Sequence, residues 1–272
     1  MLRSRSTFLL IGVLILFLSG CMLNYRNKTR SYLSEEELQE IEEIYNPPVE
    51  EEEPEHTRYL EDFWGPAIRV NGLTIDAREI EELHDYFLTY REESDLQLMR
   101  EACMEWIATY AVLSQWPDVV HIAIERLVEL RGRIDAGRDF GYLAVENSQE
   151  PGAEENAGDL GEIGQGQMAP IFEMHAFTEP VDMVSNPFPT IYGWHIIMVH
   201  SRDMDAPGGP TSHVSHIMTF HGLDPEHGEL IRENYERWLN LAEVEVLAPP
   251  LAEVLPNYPL VEEDNIGELQ AE

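Results

Sequence analysis

Residues 156–200 read NAGDLGEIGQGQMAPIFEMHAFTEPVDMVSNPFPTIYGWHIIMVH, and the turns in this stretch decide the fold. Gly158-Asp159-Leu160-Gly161 reads as a tight turn leading into a strand. A second turn follows at Gly164-Gln165-Gly166-Gln167-Met168, where glycines permit positive φ. From Ala169 to Phe177 the apolar residues fall at helical spacing, and Pro170 suits the first turn of such a helix. Trp194–Val199 is a near-continuous apolar run containing one histidine, which suits a buried strand.

Upstream, Asp139–Glu146 gives a short helix, and Asn147–Ala157 a Gly/Pro/Glu loop. Val120, Ile124, Leu127 and Ile134 stripe a longer helix before them, which Gly137 ends as a C′ residue. Further back, Ile68–Ile75 predicts a hairpin turning at Asn71-Gly72. Asp76 with Glu79 makes a capping box for a helix whose buried face is Ile80, Leu83, Phe87 and Tyr90. A second helix starts near Ser94, with Met99, Cys103, Trp106, Tyr110 and Leu113 as its stripe, and stops at Trp116-Pro117. Downstream, the turn cluster Asp203–Pro210 leads to a strand over His213–His221. Asp224-Pro225 then opens a helix striped by Ile231, Tyr235, Trp238 and Ala242. Val244–Leu247 can add a short strand, and the proline-rich acidic remainder from Ala248 is expected to stay mostly unpacked.

The G-D-L-G turn, the G-Q-M before a P-x-F helix and the closing G-W-H-I-I strand resemble, in order and spacing, the parvulin type of peptidyl-prolyl isomerase. With Asp139-Phe140, Leu143-Ala144 and Ser148-Gln149-Glu150-Pro151 ahead of them, the likeness covers residues 122–200. It implies an α+β fold, an antiparallel sheet with surrounding helices. It also implies a proline pocket lined by Leu160, Met168 and Phe172, and a site network containing His195 and Thr190. Glu150 stands where the family carries Asp or Cys, and its longer side chain puts full activity in question. The V-N-G-x-x-I start before paired helices is similar, more loosely, to the helical chaperone-like segment of exported parvulins.

One expected part is missing. Parvulins open with a strand of the type S-H-I-L-V, which supplies the first of two site histidines. Here no such strand precedes the lead-in helix, and His121–Ile124 sits too close to Phe140 to supply it. Ser215-His216-Ile217-Met218 matches it but follows the last parvulin strand. In the family fold the first and last strands are antiparallel neighbours, so a hairpin can put His216 in the missing place. The expectation is a circularly permuted first strand, with His216 opposite His195 and both on one face.

Composition narrows the partners. The net charge is −35 with a single lysine, Lys28, which argues against nucleic acid and anionic lipid. Two cysteines make no disulfide framework. Arg3 and Arg5, an apolar run from Phe8 to Leu18, and Leu18-Ser19-Gly20-Cys21 read as a signal peptide ending in a bacterial lipobox. Cleavage would leave Cys21 as the lipid attachment site, while Cys103 falls on an apolar helix face as packing. No cofactor or metal is expected, since His213 and His216 fall on opposite faces of a strand without Cys or clustered Asp. Phospho-specificity is not expected either, because Phe220, His221 and Gly222 stand where phosphate readers carry basic residues.

The chain therefore divides into a signal peptide (1–20), an acidic tether (21–58), a helical chaperone-like module (59–118), a parvulin-like domain (119–222), a C-terminal helix (223–247) and an acidic tail (248–272). The expected protein is a lipid-anchored isomerase of the bacterial envelope, facing the periplasm and acting on proline-containing unfolded exported polypeptides. Met22 after Cys21 is compatible with outer-membrane sorting. The alternative is a catalytically silent parvulin-like chaperone or binding module. If the lipobox is read correctly, Cys21→Ser yields an unlipidated or unprocessed exported protein. An intact mass of the wild type without lipid on Cys21 would contradict that reading.

Overall fold

The computed structural model describes residues 59–261 apart from 62, 225 and 226. The signal peptide, the lipobox with Cys21, the tether up to residue 58, Pro225 and the tail from residue 262 lie outside the described residues. The first element is a hairpin, β1 (Pro66–Val70) and β2 (Leu73–Asp76), turned by Asn71 and Gly72 at φ of 48° and 86°. Positive φ at both central residues is what a two-residue Asn-Gly turn tolerates best. Asp76 and Glu79 form the capping box of α1 (Ala77–Tyr90), and Ser94 caps α2 (Asp95–Leu113). Next come α3 (Val120–Asp135), α4 (Phe140–Asn147) and the single turn α5 (Ala153–Asn156). His121–Ile124 lies within α3 and is not a strand.

The second half of the described chain runs β3 (Asp159–Gly164), α6 (Pro170–Thr178), β4 (Phe188–Thr190), β5 (Gly193–Asp203) and β6 (Thr211–Thr219). It ends with α7 (His227–Leu241), β7 (Val244–Val246) and a 3-10 turn at Pro249–Ala252. The larger sheet has the order β3-β6-β5-β4 with every pair antiparallel, so β6 is inserted between β3 and β5. In that ladder Ile197 faces His216 and His195 faces Met218. The two histidines are therefore one pair out of step, not directly opposite, although alternation still sends both to the same face.

Each face of this sheet has its own cover. Trp194, Ile196 and Ile217 pack with Leu127 and Leu130 of α3 and Leu143 of α4. Ile197, Val199 and Val214 on the other face share a core with α6, α1 and α2. Phe177 of α6 meets Tyr86 and Tyr90 of α1, with ring centroids 6.3 and 5.9 Å apart. The helical module and the sheet are thus joined through one hydrophobic core.

The C-terminal segment closes the module. β7 pairs with β1, giving a second sheet of order β2-β1-β7. The expectation of a mostly unpacked remainder from Ala248 fails for its first part, since Ala248, Leu251, Val254 and Leu255 are all buried in the same core. Backbone N–H groups of Leu247 and Ala248 donate to the Ala67 carbonyl, which holds the segment down. Its apolar residues are too few and too irregular for periodicity to reveal, yet they join the core that also holds residues of α1 and α2. Leu251→Ala should cost about 2–5 kcal/mol in urea unfolding, as a buried leucine does. A change within about 0.5 kcal/mol, typical of surface substitutions, would contradict the packing of this segment.

Candidate functional site

The site is built first from backbone clamps on β6. Gly158, at φ +76°, accepts the His216 N–H through its carbonyl at 2.8 Å. A Cβ on Gly158 would lie 2.5 Å from the His216 carbonyl oxygen, so the first glycine of the G-D-L-G turn permits this approach. On the other flank Gly193 allows β5 to close on β6, since a Cβ there would lie 2.4 Å from the Thr219 oxygen. Ser148 and Gln149 hold the end of β6. The Ser148 hydroxyl accepts from Met218 N–H at 3.1 Å, and Gln149 Oε1 accepts from Phe220 N–H at 2.8 Å. These bonds bring Glu150, the next residue, to the edge of His216.

His195 and His216 are both buried, with ring centroids 5.8 Å apart and planes within 16° of parallel. Phe172 sets its ring edge-on to both, at 5.5 and 5.7 Å. Thr190 Oγ1 lies 2.9 Å from His195 Nε2 and also accepts the Tyr192 N–H at 3.2 Å. The Thr190 carbonyl accepts from His221 Nε2 at 2.7 Å, which fixes the tautomer of that buried ring. Burial holds His195 well below the usual histidine range, with the neighbouring His216 and His221 adding to the effect. Burial likewise lowers His216 to about 4 and His221 to about 4. Glu150 Oε2 approaches His216 Nε2 at 3.9 Å, too far for a hydrogen bond, and with a neutral imidazole the contact is no ion pair at pH 7. Burial raises the Glu150 carboxyl above its ordinary value.

Leu160 and Met168 are half-buried and pack against the core that contains Phe172. Met168 is fixed from behind, because its N–H donates to Glu173 Oε1 at 2.9 Å. Glu173 is buried in the first turn of α6 and also accepts from Tyr86 of α1 at 3.3 Å. An open cleft of about 620 Å³ adjoins the histidine pair. It is lined by Glu150, Tyr192 and Met218 on the site side, and not by Leu160, Met168 or Phe172.

Several residues were not expected at the site itself: His221, Glu173, Gln149, and the pair Phe188 and His175, whose rings stack at 3.7 Å. Phe188 in turn stacks on His195 at 5.6 Å. A carboxylate inside an apolar helix run, Ile171-Phe172-Glu173-Met174, was the one available signal for Glu173. His213 lies apart from the pair and contacts Asp159 at 2.9 Å.

The domain is α+β, with a four-stranded antiparallel sheet and a stacked histidine pair over an aromatic ring. Residues 120–201 match the family described as Rotamase, PPIC-type PPIASE domain. A domain of that type is therefore present in the chain, flanked by a helical region. Over 85 residues the chain is 47% identical to the Foldase protein PrsA of Halalkalibacterium halodurans, covering 30% of this chain and 26% of that protein. It is 33% identical over 137 residues to the Foldase protein PrsA of Geobacillus kaustophilus, covering 50% and 48%. It is 41% identical over 73 residues to the Chaperone SurA of Pseudomonas fluorescens, covering 27% and 17%. The chain spans about half or less of the length of these relatives. Among the described residues no helix is long and apolar enough to cross a membrane.

The depressed histidines make stability depend on pH. His216 is at about 4 in the folded chain against an ordinary 6.5, so between these values the unfolded chain binds more protons. Stability from its burial is fully present above pH 6.5 and is lost as pH falls towards 4. Between pH 7 and about pH 4.5 the wild type should lose about 2–3 kcal/mol more than His216→Gln, read by urea unfolding at the two pH values. An identical pH dependence in the two proteins would contradict a buried neutral His216.

Proposed function

We propose that this chain is a peptidyl-prolyl cis–trans isomerase that assists the folding of exported proteins at a membrane surface. The observation that carries the reading is the buried, stacked pair of His195 and His216 over Phe172, with Thr190 bonded to one of them. Prolyl isomerisation breaks no σ bond, and its barrier of roughly 18–20 kcal/mol is the loss of amide resonance. A twisted amide is less polar than a planar one, so an apolar, water-excluding pocket favours it over either ground state. Phe172, Met168 and Leu160 would grip the proline ring. His195, His216 and Thr190 would hold the hydrogen-bond network around the amide, not act as nucleophiles. Glu150 would face the substrate amide from the rim, partly protected from water and beside His216.

The first strand of the domain is, on this reading, displaced to follow the last one. Its support is that β6 lies beyond the matched residues 120–201 yet occupies the position between β3 and β5. The lipobox reading at Cys21 supports an exported, anchored protein, and the relatives named as a foldase and a chaperone support a role in folding other polypeptides. The acidic chain would select basic clients over nucleic acid.

A protease-coupled assay with proline peptides on the detergent-solubilised full chain tests the proposal. The wild type should accelerate isomerisation, and Met168→Ala and Phe172→Ala should each lower kcat/KM on the order of tenfold, about 1.4 kcal/mol of transition-state stabilisation. A wild type that leaves the isomerisation rate unchanged yet still suppresses aggregation of unfolded clients would overturn the enzymatic reading in favour of a binding module.

A further inference from the structure

We propose that α7 forms the far wall of an extended peptide cleft, which takes the apolar or aromatic side chain next to the isomerised proline. The inference rests on the isomerase reading and names which part of the substrate the chain recognises beyond proline. The cleft of about 620 Å³ runs from Glu150, Tyr192 and Met218 to Ile231, Arg232 and Tyr235 of α7. That volume lies within the roughly 300–1,000 Å³ typical of ligand-binding clefts.

Three observations link the cleft to the histidine pair. The Glu150 carboxylate is 3.9 Å from His216, Met218 is the ladder partner of His195, and the Tyr192 N–H is bonded to the Thr190 hydroxyl. A chain leaving the pair past Glu150 therefore passes straight into the cleft. Its lining suits an apolar side chain: Ile231 is buried, and Tyr192, 55% exposed, borders the cleft with area an occupant could cover.

The approach of α7 is built into the sequence. Gly228 lies in the first turn of the helix, and a Cβ there would meet the Phe220 ring at 2.7 Å. Phe220 immediately follows β6 and lines the same cleft. A glycine is thus what allows the helix to close on the strand that carries His216. α7 lies outside the matched residues 120–201 and leads directly into β7, which pairs with β1. Recognition of the residue beside proline would then belong to the C-terminal helix, while the proline itself is held by the isomerase domain.

The test is an NMR titration of the full chain in micelles with two hexapeptides, one carrying Phe and one Gly beside proline. The Phe peptide should shift the amide signals of Tyr192 and of Ile231–Tyr235 together. Tyr235→Ala should weaken the Phe peptide by about fivefold, and the Gly peptide by less than half that factor. Shifts at Tyr192 with none in α7, or equal weakening of both peptides, would overturn the proposal and leave the isomerase reading intact. Shifts at both places without catalysis would support the cleft and remove the enzyme. Shifts at neither would remove both.

Discussion

The antiparallel pairing of β5 with β6 is the constraint on which everything else depends. One histidine comes from each strand, and neither strand alone makes a site. Backbone hydrogen bonds fix the register, and register fixes which side chains share a face. A one-residue slip would send His216 towards α3 and α4 and bring Ile217 to Phe172. The chain guards against that slip at three points. Gly158 bonds His216 from the β3 side, Gly193 admits close contact with Thr219 from the β5 side, and Gln149 holds Phe220 beyond the end of the strand. β6 is a central strand, so its removal would expose two ladders of unpaired backbone groups, a state that proteins avoid by pairing or cover.

A second constraint ties the helical module to the site. Tyr86 of α1 donates to Glu173, whose other oxygen accepts from the backbone of Met168. A buried carboxylate is costly unless its oxygens are satisfied, so the two contacts are mutually dependent. The aromatic contacts of Phe177 with Tyr86 and Tyr90 reinforce the same junction, each worth about 0.5–1.5 kcal/mol beyond its burial. The module is therefore no detachable appendage. It shares a core with α6, the helix that presents Phe172, and α7 borders the cleft beside the histidines.

Much of this was legible in the sequence because glycines, prolines and caps act locally. Asn71-Gly72, the Asp76–Glu79 box, Gly137 and Pro170 each mark a boundary that the structure has. His195 and Phe172 were legible by motif, and His216 by the strand around it. What was hidden depends on distant partners. The one-pair offset of His195 and His216 follows from the ladder geometry, which the alternation of side chains does not fix. His221 reads as the last residue of a strand until its ring is found buried against Thr190, beyond the strand's end at Thr219. Ala248–Leu255 reads as tail, since Pro249 and Pro250 interrupt any period. Its burial depends on distant partners: the Ala67 carbonyl of β1 accepts from the Ala248 N–H, and Arg100 of α2 donates to the Val254 carbonyl, 154 residues away in the chain.

His216 reaches the pocket from the second strand of the hairpin, beside His195 and Phe172. Nuclear Overhauser contacts among the rings of His195, His216 and Phe172, in a chain labelled at histidine and phenylalanine, measure this directly. The centroid separations of 5.5–5.8 Å predict cross-peaks among all three rings. Cross-peaks between His195 and Phe172 alone, with His216 titrating as a solvent-exposed imidazole, would contradict the account and detach β6 from the site.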